Sequence, residues 1–88
     1  MFLSFVVPVY NAAQYLLECL DSLLAQDISD YEIICVNDGS RDASPEILGQ
    51  YAAEHGNIRV INKENGGVVS ARNAGLSAAQ GDYIWFVD

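Results

Sequence analysis

Residues 2–9 read Phe-Leu-Ser-Phe-Val-Val-Pro-Val, an apolar run that is rich in β-forming residues. A strand with one face in solvent alternates between apolar and polar side chains, and this run does not. It therefore predicts a strand that is buried on both faces, as in a parallel sheet covered by helices. The segments that follow it along the chain are expected to supply those helices.

Helical and strand patterns alternate after this run. Apolar side chains between residues 13 and 25 recur at helical spacing, Ser44-Pro45 predicts the start of a second helix, and Ser70 lies near the start of an alanine-rich third. Short β-rich runs separate these helices, and the predicted strands after the first are residues 31–36, 58–61 and 83–87. Such alternation implies parallel strands joined by right-handed crossovers.

The predicted fold class is α/β, a Rossmann-like three-layer half-domain. It has a parallel sheet of about four strands in the order 3-2-1-4 and three helices, within one domain at most over residues 1–88. The first two helices should cover one face and the third helix the other. Part of the second face would then stay bare, and strand 4 would be an apolar edge through which the chain could form a homo-oligomer.

Composition argues against several function classes. The net charge is −8 with four basic side chains, so the chain lacks the positive surface that nucleic-acid binding needs. Apolar residues make up 51% and charged residues 18%, which is too apolar for disorder. This balance indicates that some apolar area faces a partner or another part of a longer protein.

The two cysteines and the N-terminal residues indicate the cellular compartment in which the chain is expected. Cys19 and Cys35 lie inside predicted elements without CxxC spacing, so we interpret them as buried thiols rather than as a disulfide or metal pair. The N-terminal run lacks the basic region of a signal peptide, and no stretch reaches the ~20 apolar residues of a membrane span. These features predict a cytoplasmic chain, with the inner face of the membrane as the alternative place for a longer parent protein.

Several nucleotide and catalytic motifs are absent from the sequence. No GxGxxG follows the first strand and no GxxxxGK[ST] occurs, so neither a dinucleotide site nor a P-loop is predicted. The third strand runs into Asn62 rather than an acid, which argues against a phospho-accepting receiver domain. His55 is the one histidine and lies at a predicted helix end, so no Ser-His-Asp set is expected.

Polar residues collect at the carboxyl ends of the predicted strands, where α/β sheets bind ligands. These ends carry Tyr10, Asp38, Lys63 and Asp88. An aromatic ring and a carboxylate can stack on a nucleotide base and hydrogen-bond the base or its ribose. The alternatives are that Asp38 only forms a turn and that Tyr10 only packs.

Short motifs in chain order resemble those of family 2 glycosyltransferases, enzymes of the GT-A fold. They are Val6-Val7-Pro8-Val9-Tyr10-Asn11, Val36-Asn37-Asp38-Gly39-Ser40 with Asp42, Asn65-Gly66-Gly67, Ala71-Arg72-Asn73-Ala74-Gly75 and Phe86-Val87-Asp88. Each motif is weak alone, but their order and spacing over the whole chain are specific.

The resemblance implies particular roles for some residues. Nucleotide binding is implied for Pro8, Tyr10, Asp38, Arg72 and Asp88, with Tyr10 lining the base and Asp38 hydrogen-bonding the base, usually uracil, or lying beside its ribose. Asp88 would be the first acid of the Asp-x-Asp motif, close to a Mn²⁺ or Mg²⁺ ion on the donor diphosphate. No catalytic residue is implied within the chain.

The implied parent enzyme transfers a sugar from a nucleotide-diphosphate sugar, expected to be UDP-linked, to the hydroxyl of a carbohydrate or lipid-linked acceptor. Inversion and a role in cell-surface polysaccharide or glycoconjugate synthesis are expected with it. The second acid and the catalytic base would follow Asp88, so we expect residues 1–88 to be the N-terminal, nucleotide-sugar-binding portion and to be inactive alone. Two alternatives stay open: a non-catalytic nucleotide-binding module, and a structural fragment that self-associates through strand 4.

Overall fold

A computed structural model describes residues 2–87. Strands and helices alternate along it as the sequence predicts. In chain order they are β1 Leu3–Val9, α1 Ala13–Leu24, β2 Tyr31–Asp38, α2 Ser44–Glu54, β3 Ile58–Lys63, α3 Val68–Ala78 and β4 Tyr83–Phe86.

The described strands form one parallel sheet in the order β3-β2-β1-β4, as predicted. Val6 on β1 lies between Ile34 on β2 and Phe86 on β4, and its side chain is fully buried. The apolar run that opens the chain is therefore a central strand. The reversal of strand order between β1 and β4 creates the switch point at which such sheets bind ligands.

Helices cover both faces of the sheet, with the division that the sequence predicts. Leu20 from α1 and Leu48 from α2 pack in one cluster with Phe5 and Ile33 of the sheet. Ala71 of α3 packs with side chains of β2 on the opposite face. Two helices on one face and one on the other give the three-layer arrangement.

Some boundaries differ from the predicted ones, for local physical reasons. Strands β2 and β3 extend to Asp38 and Lys63, because polar side chains pair across the two strands there. Helix α3 begins at Val68 rather than near Ser70, directly after Gly67, whose φ of 95° turns the chain into the helix.

The strand β4 lies at the edge of the sheet and is largely exposed. Tyr83, Trp85 and Phe86 are 54%, 62% and 40% exposed. The prediction of an apolar edge is therefore confirmed, whereas self-association through it stays a prediction. Cys19 and Cys35 are both free, the first half-buried and the second buried. Within residues 2–87, every helix is too short or too polar to cross a bilayer.

Candidate functional site

A cleft of about 490 Å³ opens at the carboxyl edge of the sheet, between the ends of β1 and β2 and the start of α3. Three of the predicted nucleotide-binding residues line it, namely Pro8, Tyr10 and Asp38. The other lining residues are Val9, Ala12, Asn65, Gly67, Val68 and Ala71. The fold thus brings together an exposed aromatic ring, a carboxylate and the first turn of a helix.

Tyr10 follows the last residue of β1, and its side chain is 53% exposed. The next residue, Asn11, has a φ of 48°, in the left-handed region that asparagine tolerates better than most residues. The chain turns sharply here before α1 begins at Ala13. The ring is therefore on the rim of the cleft and is available to a ligand.

Asp38 is the last residue of β2 and is only 3% exposed, yet its carboxylate is well paired. Oδ1 accepts hydrogen bonds from the Gly66 N–H at 2.9 Å and from Lys63 Nζ at 3.0 Å. Oδ2 accepts one from the Gly67 N–H at 2.9 Å. The Gly66 N–H and the Lys63 ammonium, with the Gly67 N–H, outweigh the effect of burial and hold the pKa of Asp38 below its usual value. Asp38 is therefore ionised at neutral pH and is a pure acceptor.

Lys63 is a site residue that the sequence placed on the rim without giving it a role. It is the direct neighbour of Asp38 across the β2–β3 pair, and its Nζ also donates to the Glu64 carbonyl at 2.7 Å. The side chain is 22% exposed, so this ion pair is partly shielded from solvent. The signal that could have found it is the position of both residues at the ends of neighbouring parallel strands.

Asn65 was likewise predicted only as part of a loop. Its Nδ2 donates to the Asp38 carbonyl at 3.0 Å, which draws the loop before α3 onto the end of β2. A Cβ on Gly39 would lie 2.8 Å from the Asn65 backbone nitrogen, and Gly39 has a φ of 74°. Glycine is therefore required at residue 39 both for its conformation and for the close approach of this loop.

Arg72 lies on α3 outside the lining of this cleft. Its guanidinium carbon is 5.8 Å from the centre of the Phe86 ring on β4, so it stacks over an exposed part of the edge strand. Asp88 lies outside the described residues. The structure thus brings Pro8, Tyr10 and Asp38 together in one cleft. Nucleotide binding by these three residues, as by Arg72 and Asp88, stays a prediction.

The described part of the chain does not by itself fit a divalent cation. Among residues 2–87, no three His, Cys, Asp or Glu side chains are grouped as a metal site requires. Asp38, the carboxylate of the cleft, is already bound by an ammonium and two backbone N–H groups. We therefore assign no chemical step to a metal held by residues 2–87.

The parallel sheet, its 3-2-1-4 order and the cleft at the carboxyl ends of β1 and β2 match the Rossmann-like N-terminal half of a GT-A domain. The chain belongs to glycosyl transferase family 2, whose model matches residues 4–88. The predicted family and fold are thereby confirmed.

Relatives with curated descriptions are glycosyltransferases. The chain is 55% identical over 85 residues to the uncharacterized glycosyltransferase EpsJ of Bacillus subtilis, covering 97% of the chain and 25% of EpsJ. It is 47% identical over 92 residues to a poly(ribitol-phosphate) beta-glucosyltransferase of Bacillus spizizenii, covering 100% of the chain and 14% of that enzyme. The chain thus spans a quarter or less of the length of these relatives.

Two solved structures with the same fold are complexes with nucleotide sugars. S. aureus TarS in complex with UDP-GlcNAc matches with a TM-score of 0.91 and 36% identity, over 100% of this chain and 26% of TarS. The mannosyltransferase PcManGT from Pyrobaculum calidifontis, in complex with GDP-Man and Mn²⁺, matches with a TM-score of 0.86 and 28% identity, over 93% of this chain and 25% of that one.

Proposed function

We propose that this chain is the nucleotide-sugar-binding portion of a glycosyltransferase that uses a UDP-linked sugar. One observation carries the proposal: the cleft places an ionised, buried carboxylate, Asp38, beside an exposed aromatic ring, Tyr10. The ring can stack on a pyrimidine base, and the carboxylate can accept a hydrogen bond from the edge of that base. The structure of TarS with UDP-GlcNAc supports the choice of nucleotide.

The charge state of Asp38 favours uracil over cytosine. Uracil presents an N3–H donor at its pairing edge, whereas cytosine presents an N3 acceptor at the same place. An ionised carboxylate has no proton to donate, so it can accept from uracil N3–H but meets a lone pair at cytosine N3, where only the neighbouring 4-amino group could donate to it. We therefore expect UDP to bind more tightly than CDP.

A divalent cation, Mn²⁺ or Mg²⁺, belongs to the proposal as a partner of the donor diphosphate. The chain carries a net charge of −8, so an anionic ligand needs local compensation. Such a cation, held by the diphosphate of the donor, would act as a Lewis acid and offset the charge of the leaving phosphate. The mannosyltransferase neighbour with GDP-Man and Mn²⁺ supports this part of the proposal.

The proposed class of acceptor is inferred from the relatives. We propose transfer to a hydroxyl of a carbohydrate or lipid-linked acceptor, with inversion, in the synthesis of a surface polysaccharide or glycoconjugate. A relative named for glucosylation of poly(ribitol-phosphate) supports an acceptor of this class. We propose nucleotide binding without turnover for residues 1–88 alone, as a domain portion of a cytoplasmic enzyme whose free thiols suit a reducing compartment.

A titration of the 88-residue chain with UDP, followed by amide NMR in the presence of diamagnetic Mg²⁺, tests the proposed function. Resonances of Tyr10, Asp38 and Gly67 should shift with saturation, and CDP should cause smaller shifts at the same concentration. The amides around Asn57, at the opposite edge of the sheet, are an internal control and should not move. A folded sample whose Tyr10 and Asp38 resonances stay in place at millimolar UDP would exclude nucleotide binding by this cleft.

A second candidate function, that of a self-associating structural fragment, rests on the exposure of β4. Trp85 is 62% exposed on an edge strand, and unpaired edge strands pair with other chains unless charge or proline blocks them. The two candidates make different predictions, because association through β4 does not require Asp38 or Tyr10.

A further inference from the structure

The β1–α1 loop, which carries Tyr10 of the cleft, is joined to the β2–α2 loop by one hydroxyl. Ser40 Oγ donates to the Val9 carbonyl at 3.4 Å and accepts a hydrogen bond from the Asn11 N–H at 3.0 Å. Val9 and Asn11 are the two neighbours of Tyr10 in the chain. A single side chain on the β2–α2 loop therefore holds the peptide groups on both sides of the aromatic residue.

The side chain of Asn11 also forms a hydrogen bond to the β2–α2 loop. Its Oδ1 accepts a hydrogen bond from the Arg41 N–H at 2.8 Å, while its own N–H donates to Ser40. The φ of 48° at Asn11 orients the backbone for this exchange. Ser40 is fixed in turn, because its N–H donates to Asn37 Oδ1 at 3.0 Å, and Asn37 is 6% exposed at the end of β2.

The same two loops meet again at the start of α1. Ala12, at the N-cap position, has no side chain that could cap the helix. Instead the Ala12 N–H donates to Ser44 Oγ at 3.1 Å and the Ala13 N–H donates to Asp42 Oδ2 at 3.0 Å. Side chains of the β2–α2 segment thus cap α1.

We propose that Ser40 and Asn11 are positioning residues of the nucleotide site, which hold the Tyr10 loop in its binding geometry before the ligand arrives. The proposal rests on the proposed function, since it concerns the same cleft. Neither residue is among those that line the cleft, so they act through Tyr10. A loop that is already ordered loses less conformational entropy on binding than one that the ligand must order.

Two variants of Ser40 test this role. Ser40→Ala removes both hydrogen bonds beside Tyr10, and Ser40→Thr keeps the hydroxyl. The expected result is a Kd for UDP that is about three- to tenfold higher in Ser40→Ala, with the wild-type value in Ser40→Thr. Ser22→Ala, an exposed serine on α1 outside the cleft, is the matched control and should bind as the wild type does.

A second readout separates positioning from plain stabilisation. The heteronuclear NOE of the Tyr10 amide, measured without ligand, should fall in Ser40→Ala while values within the strands stay unchanged. If Ser40→Ala does not fold, the pair Asn11→Gly and Asn11→Asp replaces it. Glycine adopts the positive φ but loses the acceptor for the Arg41 N–H, whereas aspartate keeps that acceptor.

The outcomes distinguish the two proposals. Weaker UDP binding with a disordered Tyr10 loop, both restored by the conservative variant, supports positioning. Wild-type affinity in a folded Ser40→Ala or Asn11→Gly variant overturns positioning and leaves the proposed function intact. Lower thermal stability with unchanged UDP affinity of the folded variant also overturns the positioning role. The absence of UDP binding by the wild type overturns the proposed function itself.

Discussion

At the scale of the residue, the most informative group is Asp38, a carboxylate that is buried and ionised at once. Burial alone would raise its pKa, but the Gly66 N–H, the Lys63 ammonium and the Gly67 N–H have the larger effect. Its backbone carbonyl also accepts from Asn65 Nδ2 at 3.0 Å. The residue therefore shapes the cleft through its loop contacts and presents the negative charge within it.

Replacement of Asp38 by asparagine should weaken UDP binding. The amide keeps the size of the side chain but loses the charge, and a hydrogen bond to a charged group contributes ~1.5–3 kcal/mol. The expected result is at least a tenfold increase in the Kd for UDP, measured by calorimetry or NMR titration. Asp27→Asn, at an exposed position, is the control. Equal affinity of the Asp38 variant and the control would remove this carboxylate from the nucleotide site.

The pH dependence of Asp38 has a defined sign. Because its pKa is lower in the folded than in the unfolded protein, its contribution to stability is complete above the unfolded pKa of about 3.9. That contribution is lost as the pH falls through the lower, folded pKa. Lys63→Gln removes the ammonium and should raise the folded pKa of Asp38, which a carboxyl ¹³C titration measures directly. A titration curve that does not move in this variant would show that the Lys63 pair has no effect on the charge of Asp38.

At the scale of the element, α3 packs unusually close to the sheet, and glycine makes this approach achievable. A Cβ on Gly75 would clash with Val6 Cγ1 and would lie 3.3 Å from Val36 Cγ2. Gly75 and Ala71 are the buried residues of α3. Small side chains thus set the distance between α3 and the sheet, and with it the position of the helix start that lines the cleft.

Two glycine-to-alanine variants, both in helices, should have opposite effects on stability. Gly75→Ala forces a clash with Val6 and should lower the free energy of unfolding by about 1–3 kcal/mol. Gly49→Ala on α2 meets no atom within 4 Å and should raise it by about 0.5–1 kcal/mol, because alanine is the better helix former. Urea unfolding of both variants measures the difference. A Gly75→Ala protein as stable as Gly49→Ala would contradict the close packing of α3.

At the scale of the whole molecule, the side of the sheet where the strands begin (the amino edge) and the side where they end (the carboxyl edge) have different roles. At the amino edge, Glu32 is 5% exposed and accepts hydrogen bonds from Ser4 Oγ at 2.6 Å and the Gln80 N–H at 2.8 Å. Arg59 Nη2 donates to it at 2.8 Å and to the Ala78 carbonyl at 2.6 Å. This edge therefore has a structural network that ties the end of α3 to the sheet, while the carboxyl edge is open as a cleft.

Removal of Glu32 should destabilise the chain without changing the cleft. Burial favours the neutral acid, but the Ser4, Gln80 and Arg59 hydrogen bonds outweigh it and hold the pKa of Glu32 below its usual value. Glu32→Ala removes the acceptor of the Ser4 hydroxyl and the Gln80 N–H and leaves Arg59 with the Ala78 carbonyl alone, and it should cost ~2 kcal/mol, or about 10 °C in Tm. Glu18→Ala, exposed on α1, is the control in the same thermal melt. UDP affinity of the folded Glu32→Ala protein should equal that of the wild type, and a large loss would mean that the two edges are coupled.

The exposed edge strand gives a prediction about assembly. If the chain self-associates through β4, sedimentation at high concentration should show dimers or larger species. Trp85→Lys places a charge on the edge and should shift the population to monomer, since charge on an edge strand opposes pairing. The same variant should retain the UDP response at Tyr10. A wild-type chain that is monomeric at millimolar concentration would exclude association through β4.

The sequence by itself determined the order of strands and helices, the parallel sheet and the family. These properties follow from local patterns, namely apolar runs, helical spacing and short motifs whose order along the chain is readable without contacts. It also placed Tyr10 and Asp38 on one edge, because the carboxyl ends of parallel strands meet there.

Only the tertiary structure decided how those residues are held. The Lys63–Asp38 pair depends on the register of β2 against β3, and the capping of α1 by Asp42 depends on where two loops meet. Such contacts join residues that are distant in sequence, and neither composition nor periodicity specifies the distance between them. The physical reason is that the position of a residue in its strand determines the end of the sheet at which it lies. The residue with which its side chain pairs depends on how the strands and loops pack together.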